Sequence, residues 1–214
     1  MSELFSIQLQ NRQQQGRDGV WLDLPTTTEQ VQAALRQIGI SSDNPQGLFI
    51  SGYFAEEEKR FAISYNMVLA SNVDELNFLA SRLETLSTGE RAELNAALQA
   101  PQSELFSIGR ITDFPENVDY YVHLPDVHGP AQLGDYYLNR SGMVDMPEEW
   151  KGGIDTAQFG RYVAQQEQGA FTQYGYLVKS GDEWQKVHEG QPVPEEYRVL
   201  SFPAPEVLRD SANI

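Results

Sequence analysis

Apolar and polar residues alternate at the start of the chain. Phe5, Ile7 and Leu9 share one parity, and so do Val20, Leu22 and Leu24. A period of two is that of a strand with one buried face, so these runs predict a hairpin whose loop is NRQQQGRDG. Thr26 and Glu29, after Pro25, have the T-x-x-E spacing of a capping box. Val31, Ala34, Leu35 and Ile38 then recur at i, i+3, i+4 and i+7, the stripe of a packed helix, and Gly39 supplies its stop. GLFISGYF and RFAISY read as two further strands.

The period changes near Ser71. Ser71 and Asp74 form a second capping-box pattern, after which Leu76, Leu79, Leu83 and Leu86 follow at helical spacing. Ser87 and Glu90 open another helix carrying Ala92, Leu94, Ala97 and Leu98, and Pro101 ends it. SELFSIGRI predicts a shorter third helix. NVDYYVHL then reads as a strand, Pro130 to Gly142 as a helix with Leu133, Tyr136 and Tyr137 inward, and TAQFGRYVAQQ as a helix N-capped by Asp155 with Phe159, Tyr162 and Val163 inward. AFTQYGYLVKS and YRVLSF each read as a strand.

The pattern predicts an α+β chain of three small units: an antiparallel sheet plus helix over 1–66, a helical middle unit over 67–113 and a mixed α/β unit over 114–202. Residues 203–214 read as a loose tail, and no internal repeat is visible.

Composition narrows the function. The chain is 40% hydrophobic and 11% aromatic, sufficient for a core. It has no cysteine, which excludes disulfides, thiolate metal sites and a cysteine nucleophile. The first residues lack the basic-then-apolar pattern of a secretory signal, and no stretch approaches the roughly 18 apolar residues of a membrane span. A soluble, cytoplasmic protein is expected.

Charge is the loudest signal. Asp and Glu number 31 against 15 Lys and Arg, a net charge of −16. Direct nucleic-acid binding needs the opposite sign. Between Glu104 and Glu149 nine acids face two bases, a local −7. Solubility alone accounts for such an excess in many proteins, while the sharper reading is a surface that attracts a basic partner.

Reaction chemistry is sparse. His123, Asp126 and His128 lie close in sequence, but a spacing of five between the histidines with an intervening Pro is not a zinc pattern. G-x-S-x-G, Walker-type and Rossmann-type loops are missing. The residues therefore predict no catalytic group, no metal and no cofactor. The paired tyrosines Tyr120, Tyr121, Tyr136, Tyr137, Tyr174 and Tyr176 suit core packing or, where exposed, an interface.

The stretch Leu133–Arg161 carries a more specific signal. Ser141-Gly142 is followed by Met143-Val144, Met146-Pro147-Glu148, Ile154-Asp155 and Phe159-Gly160-Arg161. This series resembles the C-terminal part of the ArdA-type antirestriction proteins, which are acidic mimics of DNA. GVWLDL resembles a strand near the family's N-terminus, and DELNFLASRL its helical middle segment. The resemblance covers most of residues 1–178. It implies an elongated chain of three small domains, a two-fold dimer shaped like bent DNA, no enzymatic activity, and the type I restriction–modification enzyme as partner, met through its DNA cleft. It also implies cargo of a mobile element.

Glu56, Glu57, Glu58, Asp74, Glu75, Glu104, Asp113, Glu116, Asp119, Asp126, Asp135, Asp145, Glu148 and Glu149 are the candidate surrogate phosphates. B-DNA carries one charge per ~1.7 Å, so an excess of 16 matches about 27 Å of duplex. A dimer carrying 2 × 16 = 32 matches about 54 Å, or about 16 base pairs. One departure stands out: Asn139-Arg140 occupies a place where the family usually has two adjacent acids, a local change of three charges. The alternative function is an acidic mobile-element module that binds another basic protein.

Overall fold

The computed structural model describes residues 3–14, 18–101 and 103–205, the side chain of Glu58 apart. They form two compact units. The first comprises residues up to 60, 64–84 and 192 onward; the second comprises 61–63 and 85–191.

In the first unit, β1 (Phe5–Asn11) is the central strand of an antiparallel sheet ordered β2-β1-β3, with β2 at Val20–Leu24 and β3 at Leu48–Phe54. Alternation turns Phe5, Ile7, Leu9, Leu22, Leu24 and Ile50 inward, where all are buried. Helix α1 (Thr28–Gln37) covers this face with Val31, Ala34 and Leu35. Its capping box is Thr27 with Gln30, one residue later than the T-x-x-E spacing suggests. Gln30 Oε1 accepts from the Thr27 N–H, a role either Glu or Gln can fill. Gly39, at φ +68°, makes the left-handed turn after the helix.

RFAISY is not a strand. Phe61 and Ile63 are buried, but the segment runs without ladder partners into the short helix α2 (Tyr65–Leu69). Helix α3 (Val73–Glu84) buries Leu76, Leu79 and Leu83 as its stripe predicts. Its box is Asn72 with Glu75 rather than Ser71 with Asp74: Asn72 Oδ1 accepts from the Glu75 N–H at 2.9 Å. Asp74 is thereby released for another partner. Its Oδ1 accepts from both Val199 and Leu200 N–H at 2.7 Å, and Asn77 Nδ2 donates to Tyr197 O at 3.0 Å. YRVLSF is therefore held by side chains of α3 and forms no sheet ladder. Most of the expected tail, residues 206–214, lies outside the described residues, as does Gln15–Arg17 of the first loop.

In the second unit, α4 (Thr88–Gln99) opens on the expected Ser87–Glu90 box. Only the end of SELFSIGRI is helical, as α5 (Ile108–Thr112). β4 (Tyr121–Leu124) pairs with β6 (Gly175–Lys179), which pairs with β5 (Ala170–Thr172) in the antiparallel order β4-β6-β5. AFTQYGYLVKS is thus a hairpin rather than one strand: Thr172 faces Gly175 across a tight turn, and Gly175 sits at φ +117°. Helices α6 (Pro130–Asp135), α7 (Glu148–Lys151) and α8 (Thr156–Glu167) complete the unit. Leu133, Ala164 and Tyr176 meet in its core with Val127. The α+β class expected from periodicity holds: two three-stranded antiparallel sheets with packed helices.

Candidate acidic interface

The motif stretch is built on the α6–α8 pair. Gly134 of α6 and Gly160 of α8 bring the two backbones together. A Cβ on Gly160 would stand 1.8 Å from Pro130 O, and one on Gly134 would stand 1.9 Å from Thr156 O. Both obstacles are main-chain atoms, which no rotamer change can move.

After α6 the chain takes one wide turn, Tyr136–Arg140, closed by Ser141 N–H donating to Tyr136 O at 2.8 Å. This i→i+5 bond is a π-type turn. Ser141 Oγ donates to Tyr137 O and accepts from Met143 N–H, and Gly142 at φ +70° ends the helix. Pro147 precedes α7, Ile154 and Phe159 are half-buried, and Asp155 caps α8 by accepting from Gln158 N–H at 2.9 Å. Arg161 and Tyr162 point to solvent, so Tyr162 is not the inward residue its spacing suggests.

The structure divides the candidate acids by fate. Asp113 is 0% exposed and does not belong to any surface. Its carboxylate accepts from Val187, His188 and Glu189 N–H at 3.3, 2.6 and 3.1 Å. Asn117 beside it bonds both Gln185 N–H and Gln185 O, so the pair clamps the 185–189 segment. Asp74, half-buried, is the corresponding clamp in the first unit. One Glu116 carboxylate oxygen is shut off from solvent. Asp113, Glu116 and His188 place ligand atoms within 4.8 Å of one another, a grouping their sequence positions hide. Asp113 already accepts three backbone N–H bonds there. His123 Nε2 lies 2.7 Å from Tyr174 O, and His128 is exposed.

A second set is neutralised locally. Glu104 binds Lys179 and accepts from Tyr120 Oη, with Arg110 3.8 Å away. The bound Lys179 ammonium holds the Glu104 carboxyl below the usual range. Lys59 pairs with Glu56 at 3.3 Å and Lys151 with Glu148 at 2.9 Å. Asn139 and Arg140 both fold back on Asp135, at 2.9 and 3.1 Å. The unusual pair in the motif thus also occupies a neighbouring carboxylate.

A third set remains open. Glu57 and Glu75 in the first unit, and Asp119, Asp126, Asp145 and Glu149 in the second, are exposed. None of these six forms an ion pair among the described residues. Glu58 has no described side chain.

Two carboxylates outside the predicted set matter more to the interior. Glu167 accepts from Tyr137 Oη and, at 2.9 Å, from Tyr176 Oη. Burial, and then these bonds, push both phenols upward. No sequence spacing signals this, because the three residues lie on α8, the turn after α6 and β6. Glu93 has one carboxylate oxygen buried without a hydrogen-bond partner among the described residues. Its signal was available: it lies four residues before Ala97, at the margin of the α4 stripe.

Burial first, then Glu90 and Asp119, raises Glu93 from 4.5 to about 8. The folded chain therefore retains a proton that the unfolded chain releases above pH 4.5. Stability from this group is full below that value and is lost as pH rises through about 8. Glu93→Gln is expected to flatten that decline and to stabilise the chain at pH 9 by about 2 kcal/mol, allowing for partial solvent screening. Melting temperatures between pH 5 and 9 provide the check; an unchanged wild-type slope in the variant would refute the assignment.

No helix among the described residues is long and apolar enough to cross a membrane. As a class, this is an acidic α+β protein that leaves many solvent-facing carboxylates without internal cations. Residues 15–178 match the family described as Antirestriction protein (ArdA), and the chain belongs to that family. Membership implies an antirestriction function and an encounter with restriction enzymes. No curated protein matches the chain.

Proposed function

We propose that this chain inhibits restriction as a DNA mimic, occupying as a homodimer the DNA cleft of a type I restriction–modification enzyme. The observation that supports this is the open set of carboxylates at Glu57, Glu75, Asp119, Asp126, Asp145 and Glu149, in an antirestriction family member of net charge −16. A cleft lined with Lys and Arg meets DNA largely through phosphates, and those contacts carry no direct sequence information. Carboxylates free of internal cations are able to replace them. No bond is made or broken, so the inhibitor acts stoichiometrically, without a cofactor.

The test is competition between the full chain and a fluorescent duplex for a purified type I methyltransferase core. Displacement is expected to weaken at least tenfold between 50 and 200 mM salt, by analogy with multi-phosphate contacts. Neutralising Asp119, Asp126, Asp145 and Glu149 to their amides is expected to reduce it further. Asn139→Glu with Arg140→Glu, a change of −3 per chain that also frees Asp135, is expected to strengthen it. Absence of displacement at low salt across several type I families would overturn the proposal. Capture of a different basic protein of a mobile element would then favour the interaction-module reading.

A further inference from the structure

The outer face of the first sheet carries chemistry that the acidic-surface reading does not use. Strand register places three rows across it. Asp23 and Phe54 flank Ser6, Trp21 and Gly52 flank Gln8, and Phe49 faces Gln10. The opposite face is the buried core; on this one Trp21, Asp23 and Phe54 are exposed, while Ser6 and Gly52 are buried. Trp21 is 48% exposed and Phe54 57% exposed, an unusual position for two large aromatic rings.

The two rings are in contact. Their centroids are 6.4 Å apart at 72°, an edge-to-face pair. The indole reaches across β1 to β3: a Cβ on Gly52 would stand 3.0 Å from Trp21 Cη2. Gly52 thus provides the space in which the indole lies across the sheet. At the edge of this platform two carboxylates converge on one hydroxyl. Ser6 Oγ lies 2.8 Å from Asp23 Oδ1 and 3.3 Å from Glu3 Oε1. A hydroxyl has one proton and cannot satisfy both acids. No cation among the described residues pairs with either.

We infer that this face is an arginine-binding site, where a guanidinium of a basic partner protein stacks on the Trp21 indole beside Phe54 and is held by Asp23 and Glu3. Charge complementarity selects a cation, and the geometry selects arginine over lysine. A guanidinium is planar, stacks on aromatic faces and offers several donors in a fork to carboxylates, whereas an ammonium is a compact, strongly hydrated point charge. The inference deepens the proposed function and rests on the partner being a basic protein. It adds a directional hot spot to a surface otherwise dependent on screened charge.

The test uses the full chain and two probes, Nα-acetyl-arginine amide and Nα-acetyl-lysine amide at equal concentration. The indole ¹H–¹⁵N resonance of Trp21 is identified by its loss in Trp21→Phe. Arginine amide is expected to move it several-fold more than lysine amide does. Glu3→Gln with Asp23→Asn is expected to reduce that shift several-fold, while the backbone resonances of Ile7 and Leu22 show the sheet intact. An unmoved Trp21 resonance, equal responses to both probes, or an unchanged response in the double variant overturns the site.

A second arm separates this inference from the mimicry proposal. Trp21→Ala is expected to weaken DNA displacement from the methyltransferase core at least fivefold. If wild type displaces DNA and Trp21→Ala does so equally well, mimicry stands and the hot spot falls. If wild type displaces nothing while Trp21 still prefers arginine, the restriction target falls and the arginine site stands.

Discussion

Alanine at Gly160 is expected to destabilise the second unit by about 3 kcal/mol, despite the roughly 1 kcal/mol by which alanine favours an isolated helix over glycine. The added methyl would stand 1.8 Å from Pro130 O and 2.8 Å from Gly134 N, and relief requires α6 and α8 to separate. Separation opens the core that Leu133, Ala164 and Tyr176 share with Val127. It also strains the bonds from Tyr137 and Tyr176 to Glu167. Urea unfolding followed by near-ultraviolet circular dichroism reads the loss directly. Gly152→Ala is the control: Gly152 has open space around its Cβ position and a φ of −63°, so its substitution is expected to be neutral. A Gly160→Ala midpoint equal to the wild-type value would show that the helices separate at little cost.

Alanine at Asp113 has the next largest expected effect, about 3 kcal/mol, because it strands three backbone N–H donors around a fully buried position. The loss should be local before it is global. The amides of Val187, His188 and Glu189 are expected to exchange faster, and trypsin to cleave sooner after Lys186. Asp126→Ala, at an exposed site with no ion pair, is expected to leave both readouts within about 0.5 kcal/mol of wild type. Under the proposed function, its effect is expected in partner binding instead. The two substitutions thus distinguish an acid that builds the fold from one free to meet a partner; equal protease sensitivity of the pair would erase that distinction.

The one-residue displacements at two helix starts show the grain of sequence reading. Thr26 and Thr27, or Ser71 and Asn72, are neighbouring hydroxyl or amide side chains, and each has an acceptor suited to capping. Which one caps depends on the helix phase. That phase is set by what Val31 and Leu35, or Leu76 and Leu79, bury. RFAISY and YRVLSF fail for a related reason. Alternation is a property of a segment, whereas a strand needs a neighbour with free backbone groups. YRVLSF instead finds Asp74 and Asn77, side chains more than a hundred residues away in the chain.

By itself, the sequence determined the α+β class, the stripes of α1 and α3, the caps at Ser87 and Asp155, and the excess of negative charge. These depend on local periodicity, short-range capping and a sum over residues. It also held the motif from Ser141 to Arg161, through which the family was legible. Only the tertiary structure decided what each carboxylate does. Asp113 became a buried clamp, Glu104 a lysine partner, Glu93 a half-buried acid whose proton is held more tightly and Asp126 an exposed side chain with no ion pair among the described residues. The reason is physical: a carboxylate's role follows from its solvation and from donors brought to it by folding, and for Asp113 and Glu104 those donors lie about 75 residues away. Net charge is additive along the chain; exposure and pairing are not.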